Sequence, residues 1–560
     1  MNLNKRVFKH TESKSKFNPQ VVSGMGKLYL DKVPEYLDSI IRTGVANLIP
    51  EIPFSYNGWR YLSPEEDFHD QFKSSSSKNS IDVAKNTLYK IEFSFEFNGQ
   101  ELKRVLLLPY VEKGSIMYLS DAIYSVVPVL TEYVVYPTNK EVFVRLLKDK
   151  LIFKRMERNI LIDGVKTPVP VIHSRAYKFT QGVNDKVPMA LYLFVRNGFY
   201  GVFEKYFNTK PIIKGPDDMV TDKEREKYTV FESTGVKPRI LHDPNYRPHG
   251  IKILVEKDKV NPFMESVIGG LIYSFDLINV FSRHLPDILT GKSRMDENTF
   301  WRVLLGKVIF RNKYTQDKIL NAMQEYISVI NTYIDPIIDA KLKESGIVIE
   351  DFYDLVAYII KNYNELVINS ERRSSNLEFR YIDVIYYLMF EIIAGINKIF
   401  YGINKEYTKK GDKLSLRDIE NLFNKHLTSR KIFSLIKGAT NLALMPIDYS
   451  GDNYYPKITA ILEDQNRGSG VKRDKKASFP HFARNLHAED LYLGNILYIV
   501  KKSPSPRFRI NPFLEVDINT GKIKMDDDMK RRLNKMEHLL EGKFENDEIL
   551  EKERIEEINI

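Results

Sequence analysis

The sequence predicts a multidomain α+β fold with a helix-rich second half. Its 560 residues suffice for about three or four domains of roughly 150 residues each. Up to Glu256, short apolar runs are separated by turn dipeptides such as Asn98-Gly99, the mark of hairpin-linked strands. Beyond Asn261 the apolar residues recur at i, i+3, i+4 spacing, the mark of amphipathic helices. A composition of 43% hydrophobic and 28% charged residues is globular and supplies several cores.

Residues 1–25 are polar and basic and read as an extended arm. From Lys32 to Asn47, Val33, Leu37, Ile40, Ile41 and Val45 share one helical face. Strand-like pieces and a Ser-rich loop tip, Ser74 to Ser80, come next. Leu88–Phe97 and Leu102–Leu108 then form a hairpin across Asn98-Gly99. Leu106 to Glu132 reads as strands broken by turns at Lys113-Gly114 and near Ser120-Asp121. Residues 133–215 mix strand and helix, with a hairpin at Ile162–Val165 and a change from strand to helix at Asn197-Gly198 within Leu191–Phe207. A polar, Pro-containing stretch leads to a strand at Ile251–Glu256. Helices are expected at Asp317–Asp335, with Thr315 as N-cap, at Ile349–Asn364 and at Tyr381–Lys405. Their Tyr, Ile and Leu stripes are core, and no internal repeat is present.

Composition also narrows the function. Cysteine is absent, which removes disulfides, thiolate metal sites, Fe–S clusters and Cys nucleophiles together. Ten scattered His argue against zinc. The N-terminus carries no apolar signal-peptide core. Tyr386–Ile393, among the longest apolar runs, is interrupted by Glu391 and is far short of the ~20 residues that span a bilayer. A net charge of +10 suits an anionic partner, though a basic protein that binds none fits charge alone equally well. Gly291-Lys292-Ser293 resembles the end of a phosphate loop, but Pro286 stands where the upstream glycine belongs. His487 and Glu489 form an HxE that lacks the cysteines a zinc deaminase needs. Asp526-Asp527-Asp528 is a helix-start charge cluster before an acidic helical tail.

The stretch richest in polar chemistry runs from Glu463 to Leu497. It holds the amides Gln465 and Asn466, a Gly-Ser-Gly, a basic cluster (Lys472, Arg473, Lys475, Lys476), His481-Phe482-Ala483-Arg484 and Glu489. Amides can bond phosphate or sugar, and the cations can neutralise phosphates. Taken alone, Arg467–Lys476 reads as a solvated loop.

Four blocks, in order along the chain, resemble the N-terminal portion of the β subunit of multisubunit DNA-directed RNA polymerases. The first is the helix KVPEYLDSIIRTGVANLIPE, with its acid-aromatic-hydrophobic pattern. The second, LPYVEKGSIMYLSDAIYSVVPVL, is similar to the family's P-x-M-T-x-x-G-T-F-I-I-N-G-x-E-R-V-I-V-x-Q-L, with Pro109, Gly114 and Val126-Val127 in matching places. Ser120-Asp121-Ala122 replaces the family's N-G-x-E-R turn. The third, SNLEFRYIDVIYYLMFEIIAGINKIF, is similar to G-N-R-R-I-R-x-V-G-E followed by a long helix, with Asn376 and Arg380 in register. In the fourth, LEDQN resembles M-D-Q-N, Lys472-Arg473 resembles H-K-R-R, and His481–Arg484 resembles H-Y-G-R. Glu489 and Asn495-Ile496 then fall on the first glutamate and the N-I of C-P-I-E-T-P-E-G-P-N-I-G. The family's G-P-G-G loop is shortened to Asp474–Phe479, and the Pro-Glu-Gly of the last motif is lost.

The resemblance implies a non-catalytic N-terminal half of a β subunit, in the divergent split form of large bacteriophages. It implies mixed protrusion and lobe domains and a fork-like loop region. Residues 1–136 would begin the protrusion, 137–380 form a lobe-like insertion, and 381–455 return to the protrusion. Residues 456–525 would be the fork-like region facing nucleic acid, and 526–560 an acidic helical tail, a terminus created by the split. The nucleic-acid-binding candidates are Gln465, Asn466, Lys472, Arg473, Arg484, Glu489 and Asn495. Of these, Arg484 and Glu489 suit an internal ion pair shaping the wall, and Asn495 suits either role. No catalytic residue and no cofactor are expected on this chain, and no D-F-D-G-D is present; Mg²⁺ belongs to a partner β′ subunit. The implied partners are the complementary β C-terminal half, β′-like subunits, template DNA and RNA product, with no membrane. The setting would be the cytoplasm of an infected bacterium, or the virion. The competing reading is a phage structural protein, either a portal or an internal virion protein.

Overall fold

The computed structural model describes residues 32–66, 69, 89–108, 111–112, 115–119, 122–137, 141–146, 150–175, 186–236, 248–278, 285–289, 297–310, 314–330, 334, 336–368, 380–383, 385–427, 444–447, 460–463, 494–495, 499–500, 503–504, 507–510, 514–517, 520–524 and 531. The chain is α+β and divides into two compact units. One comprises Met1–Glu132 and Ser375–Ile560, the other Tyr133–Ser374.

The first unit opens with helix α1 (Val33–Ala46), which buries Val33, Leu37, Ile40 and Ile41 as its periodicity predicts. Val45, expected on the same face, is only half-buried. Strands β1 (Phe54–Tyr61), β2 (Tyr89–Phe97) and β3 (Gln100–Leu108) form an antiparallel sheet in that order. Asn98 and Gly99 join β2 to β3 at φ 52° and 75°. A type I′ turn needs left-handed backbone at both places, which is why this dipeptide marks a hairpin. Phe93, Phe95, Leu102 and Leu106 are buried. Four short strands follow, one more than the two expected turns would give: β4 (Val111–Glu112), β5 (Ile116–Leu119), β6 (Ala122–Val126) and β7 (Val129–Glu132). The extra break falls at Val127-Pro128, and the expected turns at Lys113-Gly114 and Ser120-Asp121 lie outside the described residues.

The second unit is an antiparallel sheet with helices. Its strands are β8 (Val135–Pro137), β9 (Glu141–Arg145), β10 (Lys150–Ile162), β11 (Val165–Ser174) and β12 (Val187–Pro188), then β13 (Ile212–Lys214), β14 (Tyr228–Ser233) and β15 (Lys252–Glu256). The main order is β12-β11-β10-β14-β15-β13, and β9 adds to β10. Asp163 and Gly164, at φ 50° and 80°, close the β10–β11 hairpin. From the closing pair Ile162–Val165, hydrogen-bonded positions recur every second residue, so Pro168 and Pro170 fall between them. Their missing N–H groups would have pointed away from β10, and the outer edge of β11 is thereby blunted against further pairing.

Helix α2 (Ala190–Phe207) corrects the expected strand-to-helix change. The segment is helical on both sides of Gly198, which sits at φ 70°, ψ −178° and kinks it. That conformation is essentially glycine's alone. The turn signal is real, but it breaks one helix in two. Leu191, Leu193, Phe194, Phe199 and Phe203 are all buried, and burial on nearly every side erases the helical period. The remaining helices are α3 (Asp222–Lys227), α4 (Pro262–Ile278), α5 (Leu285–Leu289), α6 (Glu297–Phe310), α7 (Gln316–Ile330), α8 (Pro336–Glu344) and α9 (Phe352–Ile368). Trp301 of α6 is fully buried and stacks on Phe194 at 5.1 Å. Tyr192 and Tyr326 share a buried hydroxyl–hydroxyl hydrogen bond of 2.9 Å, which satisfies both polar ends inside an aromatic core. The Thr315 carbonyl accepts the first helical bond of α7, from the Ile319 amide.

The chain re-enters the first unit through β16 (Arg380–Asp383), followed by α10 (Ile385–Lys410) and α11 (Leu416–His426). The helix expected from Tyr381 therefore starts four residues later. Tyr381 belongs to a strand opposite Thr131 of β7. Helix α10 lies close to both α1 and α11, and three glycines allow it. A Cβ would fall 2.2 Å from Phe400 at Gly44, 2.7 Å from the His426 carbonyl oxygen at Gly395, and 2.7 Å from Leu422 at Gly402. Asn404 completes the α1 contact, accepting from the Ile49 amide at 3.0 Å and donating to the Asn47 carbonyl at 3.2 Å. Strands β17 (Leu444–Ile447), β18 (Ala460–Glu463), β19 (Gly494–Asn495), β20 (Ile499–Val500), β21 (Ser503–Pro504), β22 (Arg507–Ile510), β23 (Glu515–Val516) and β24 (Ile523–Lys524) complete the order.

Candidate nucleic-acid interface

Of the seven residues singled out for nucleic acid, Gln465, Asn466, Lys472, Arg473, Arg484 and Glu489 lie outside the described residues, and Asn495 lies in β19. The basic arm, the Ser-rich tip, Gly291–Ser293, His487 and Asp526–Asp528 are outside them as well.

The strands that flank the polar stretch are described, and they meet in one sheet. Its order is β16-β7-β18-β22-β19. Strand β18, where the stretch departs, runs parallel to β7 with Leu462 opposite Val129, and antiparallel to β22 with Leu462 opposite Arg507. Strand β19, where it returns, pairs with the far side of β22, with Asn495 opposite Arg509. Neighbouring strands lie about 4.8 Å apart and residues rise about 3.4 Å along a strand. With Leu462 opposite Arg507 and Gly494 opposite Ile510, departure and return lie roughly 15 Å apart, toward opposite ends of β22. On the other side, β7 pairs with β16, bringing Ile382 opposite Leu130. One sheet thus draws on three of the four blocks: β7 on the second, β16 on the third, β18 and β19 on the fourth. Strand β6, also of the second block, pairs with β17 through Ile123–Ile447 and Val126–Leu444. The β23–β24 hairpin joins the β16 edge through a Tyr381–Lys522 bridge and a 2.8 Å bond from the Ile382 amide to the Gly521 carbonyl.

Val129, Leu130, Ile382 and Ile510 are buried and hold this sheet. Thr131 and Asp383 are buried too. Arg509 is exposed, and among the described residues it has no ion-pair partner. Residue-by-residue reading did not select Arg509, because it lies beyond the last block. The available signal was compositional. No Asp or Glu occurs between Asp490 and Glu515, whereas Lys501, Lys502, Arg507 and Arg509 do.

One cluster in the second unit has the residue types of a hydrolase triad. Ser233 Oγ lies 2.9 and 3.0 Å from the two Asp276 carboxylate oxygens, and His249 Nε2 is 3.3 Å from Asp276 Oδ1. The order of contacts rules out a triad. Ser233 donates to the carboxylate and accepts from the Gly235 amide at 3.1 Å, whereas the His249 Nδ1 accepts from the Ile251 amide at 3.2 Å. No imidazole nitrogen is positioned to take the serine proton, as nucleophilic activation requires. Asp276 of α4 instead braces β14 and the approach to β15. Among the described residues no group of three or more His, Asp or Glu side chains could hold a metal ion, and no helix is long and apolar enough to cross a membrane.

A search of curated proteins returned no match. A family model described as "Non-virion RNA polymerase subunit" matches residues 1–538. The match takes in both compact units and every strand of the five-stranded sheet, and it decides against the portal or internal-virion reading. The chain belongs to the non-virion RNA polymerase subunit family.

Proposed function

We propose that this subunit is the β-like N-terminal half of a split multisubunit DNA-dependent RNA polymerase. In this role it shapes the cleft that holds the DNA and the RNA–DNA hybrid, while bond formation and Mg²⁺ reside on partner chains. The observation that carries the reading is the five-stranded sheet. Segments that match separate blocks of one polymerase subunit, hundreds of residues apart in sequence, are hydrogen-bonded neighbours. The 133–374 unit, interposed between the second and third blocks, supports a protrusion interrupted by a lobe-like insertion. The stretch from Gln465 to Leu493, with both flanks on one sheet, suits a fork-like element. There Gln465, Asn466, Lys472 and Arg473 contact backbone phosphate or sugar, and Arg484 and Glu489 pair with each other. The partners are a complementary β C-terminal half, β′-like subunits, template DNA and RNA product. The family's description as non-virion favours the infected cell over the particle as its place of work.

Co-expression tests this. The chain alone makes no RNA, and the complex purified through a tag on this chain does. RNA synthesis by the isolated chain would refute the division of labour. In the assembled enzyme, Lys472→Ala with Arg473→Ala makes the fall of template affinity with salt shallower, because fewer counterions are released. An unchanged salt slope would remove the phosphate role of that pair.

A further inference from the structure

We infer that Arg509 binds a phosphodiester of the nucleic-acid strand, at the base of the polar stretch. The inference rests on the cleft-shaping reading above and extends it to a residue outside the four blocks. Three observations converge. Arg509 is exposed on β22, the strand that lies between the two flanks of the stretch, β18 and β19. Its cross-strand neighbours are Ala460 on one side and Asn495 on the other. A cation on a sheet ordinarily gains from a carboxylate directly opposite; neither neighbour can supply one, and among the described residues no ion pair includes Arg509. The surrounding sequence is cleared of competing anions, since no carboxylate lies between Asp490 and Glu515 while Lys501, Lys502 and Arg507 do. Arg507 occupies the same strand two positions earlier, opposite Leu462.

A guanidinium with five donors in a planar fork, with no carboxylate partner among the described residues, matches phosphate geometry. Non-bridging phosphate oxygens recur at every nucleotide, so the contact holds and registers the strand without reading its sequence.

The test uses the full chain assembled with its partner subunits, carrying Arg509→Gln or Arg509→Lys. Retention of a labelled duplex bearing an RNA primer is titrated from 50 to 200 mM salt. Loss of one phosphate contact lowers the slope of log affinity against log salt by about 0.7 to 0.9. The Arg509→Gln deficit is then about threefold larger at 50 mM than at 200 mM. Arg509→Lys keeps the wild-type slope, because the charge that releases the counterion remains. An Arg509→Gln complex with the wild-type slope overturns the inference. So does failure of Arg509→Gln, but not Arg509→Lys, to co-purify with the other subunits, which would assign the residue to an acidic protein surface. Lys472→Ala with Arg473→Ala, run in parallel, separates the two claims. If that pair lowers the slope and Arg509→Gln does not, only this inference fails; if wild-type chain brings down no polymerase activity, the underlying reading fails.

Discussion

Gly402→Ala is a test of the α10–α11 contact whose sign can be worked out beforehand. In an exposed helix interior, replacing glycine by alanine stabilises by about 1 kcal/mol, because glycine loses the most backbone freedom on folding. At Gly402 the new methyl would sit 2.7 Å from Leu422 Cδ2 and 3.1 Å from Cδ1. Forcing an extra carbon into packed space costs about 1–3 kcal/mol. The clash wins over the propensity gain, for a net loss of about 1 kcal/mol. Trimming the obstacle reverses the result: in a Leu422→Ala background, Gly402→Ala stabilises by about 1 kcal/mol. The coupling between the two sites is therefore about 2 kcal/mol, within the range that contacting residues show.

Because the chain has two units, a single global midpoint would blur the effect. Amide hydrogen exchange along α10 reads it locally. Protection there falls in Gly402→Ala and recovers when Leu422→Ala is added, relative to Leu422→Ala alone. Stabilisation by Gly402→Ala in both backgrounds would mean that the two helices do not approach as described. Gly395, seven residues earlier and so on the same helical face, offers a contrast. Its obstacle is the His426 carbonyl oxygen at 2.7 Å, which no side-chain deletion can remove.

Three further outcomes follow from the fold. Helix α11 opens with a reciprocal capping box, the Ser415 hydroxyl accepting from the Asp418 amide and the Asp418 carboxylate from the Ser415 amide; Ser415→Ala costs about 1 kcal/mol of amide-exchange protection along α11, and no loss would remove the cap's role. Hydrogen bonds from Lys410 and then from the Ser415 side chain and amide hold the Asp418 carboxyl down at about 2. A depressed folded-state value stabilises fully above the ordinary aspartate value, 3.8, and its contribution disappears as the pH falls through about 2. Protection of α11 amides should decline across that window in wild type and less steeply in Asp418→Asn. On the second unit, Pro168→Val with Pro170→Val restores two outward N–H groups on the β11 edge, and sedimentation should show more self-association than wild type. Unchanged sedimentation would mean that something other than proline protects that edge.

Legibility in the sequence divides by range. Where structure is decided within a few residues, the sequence shows it: Asn98-Gly99 and Asp163-Gly164 carry left-handed backbone, and the α1 stripe at Val33, Leu37, Ile40 and Ile41 is buried. At two places burial overrides local pattern. Leu191–Val195 has no polar side to set a period, and a strand there looks the same as a buried helix. Tyr381 and Ile382 continue the apolar spacing of α10, yet a partner strand from residues 129–132 claims them. The register that matters most was beyond local pattern altogether, since Leu130, Ile382, Leu462, Phe508 and Gly494 each sit on different strands of one sheet.

That non-local sheet explains why Arg509 escaped residue-by-residue reading while its neighbour Asn495 did not. A motif match scores residues along the chain, and Asn495 falls within one. Arg509 is fourteen positions further on and becomes its neighbour only because β22 folds back between β18 and β19. What the chain does reveal there is negative: the missing carboxylates between Asp490 and Glu515. Among the described residues Arg509 has no carboxylate opposite it and no ion pair, and in a polymerase subunit a strand of phosphates is the anion that recurs along a cleft.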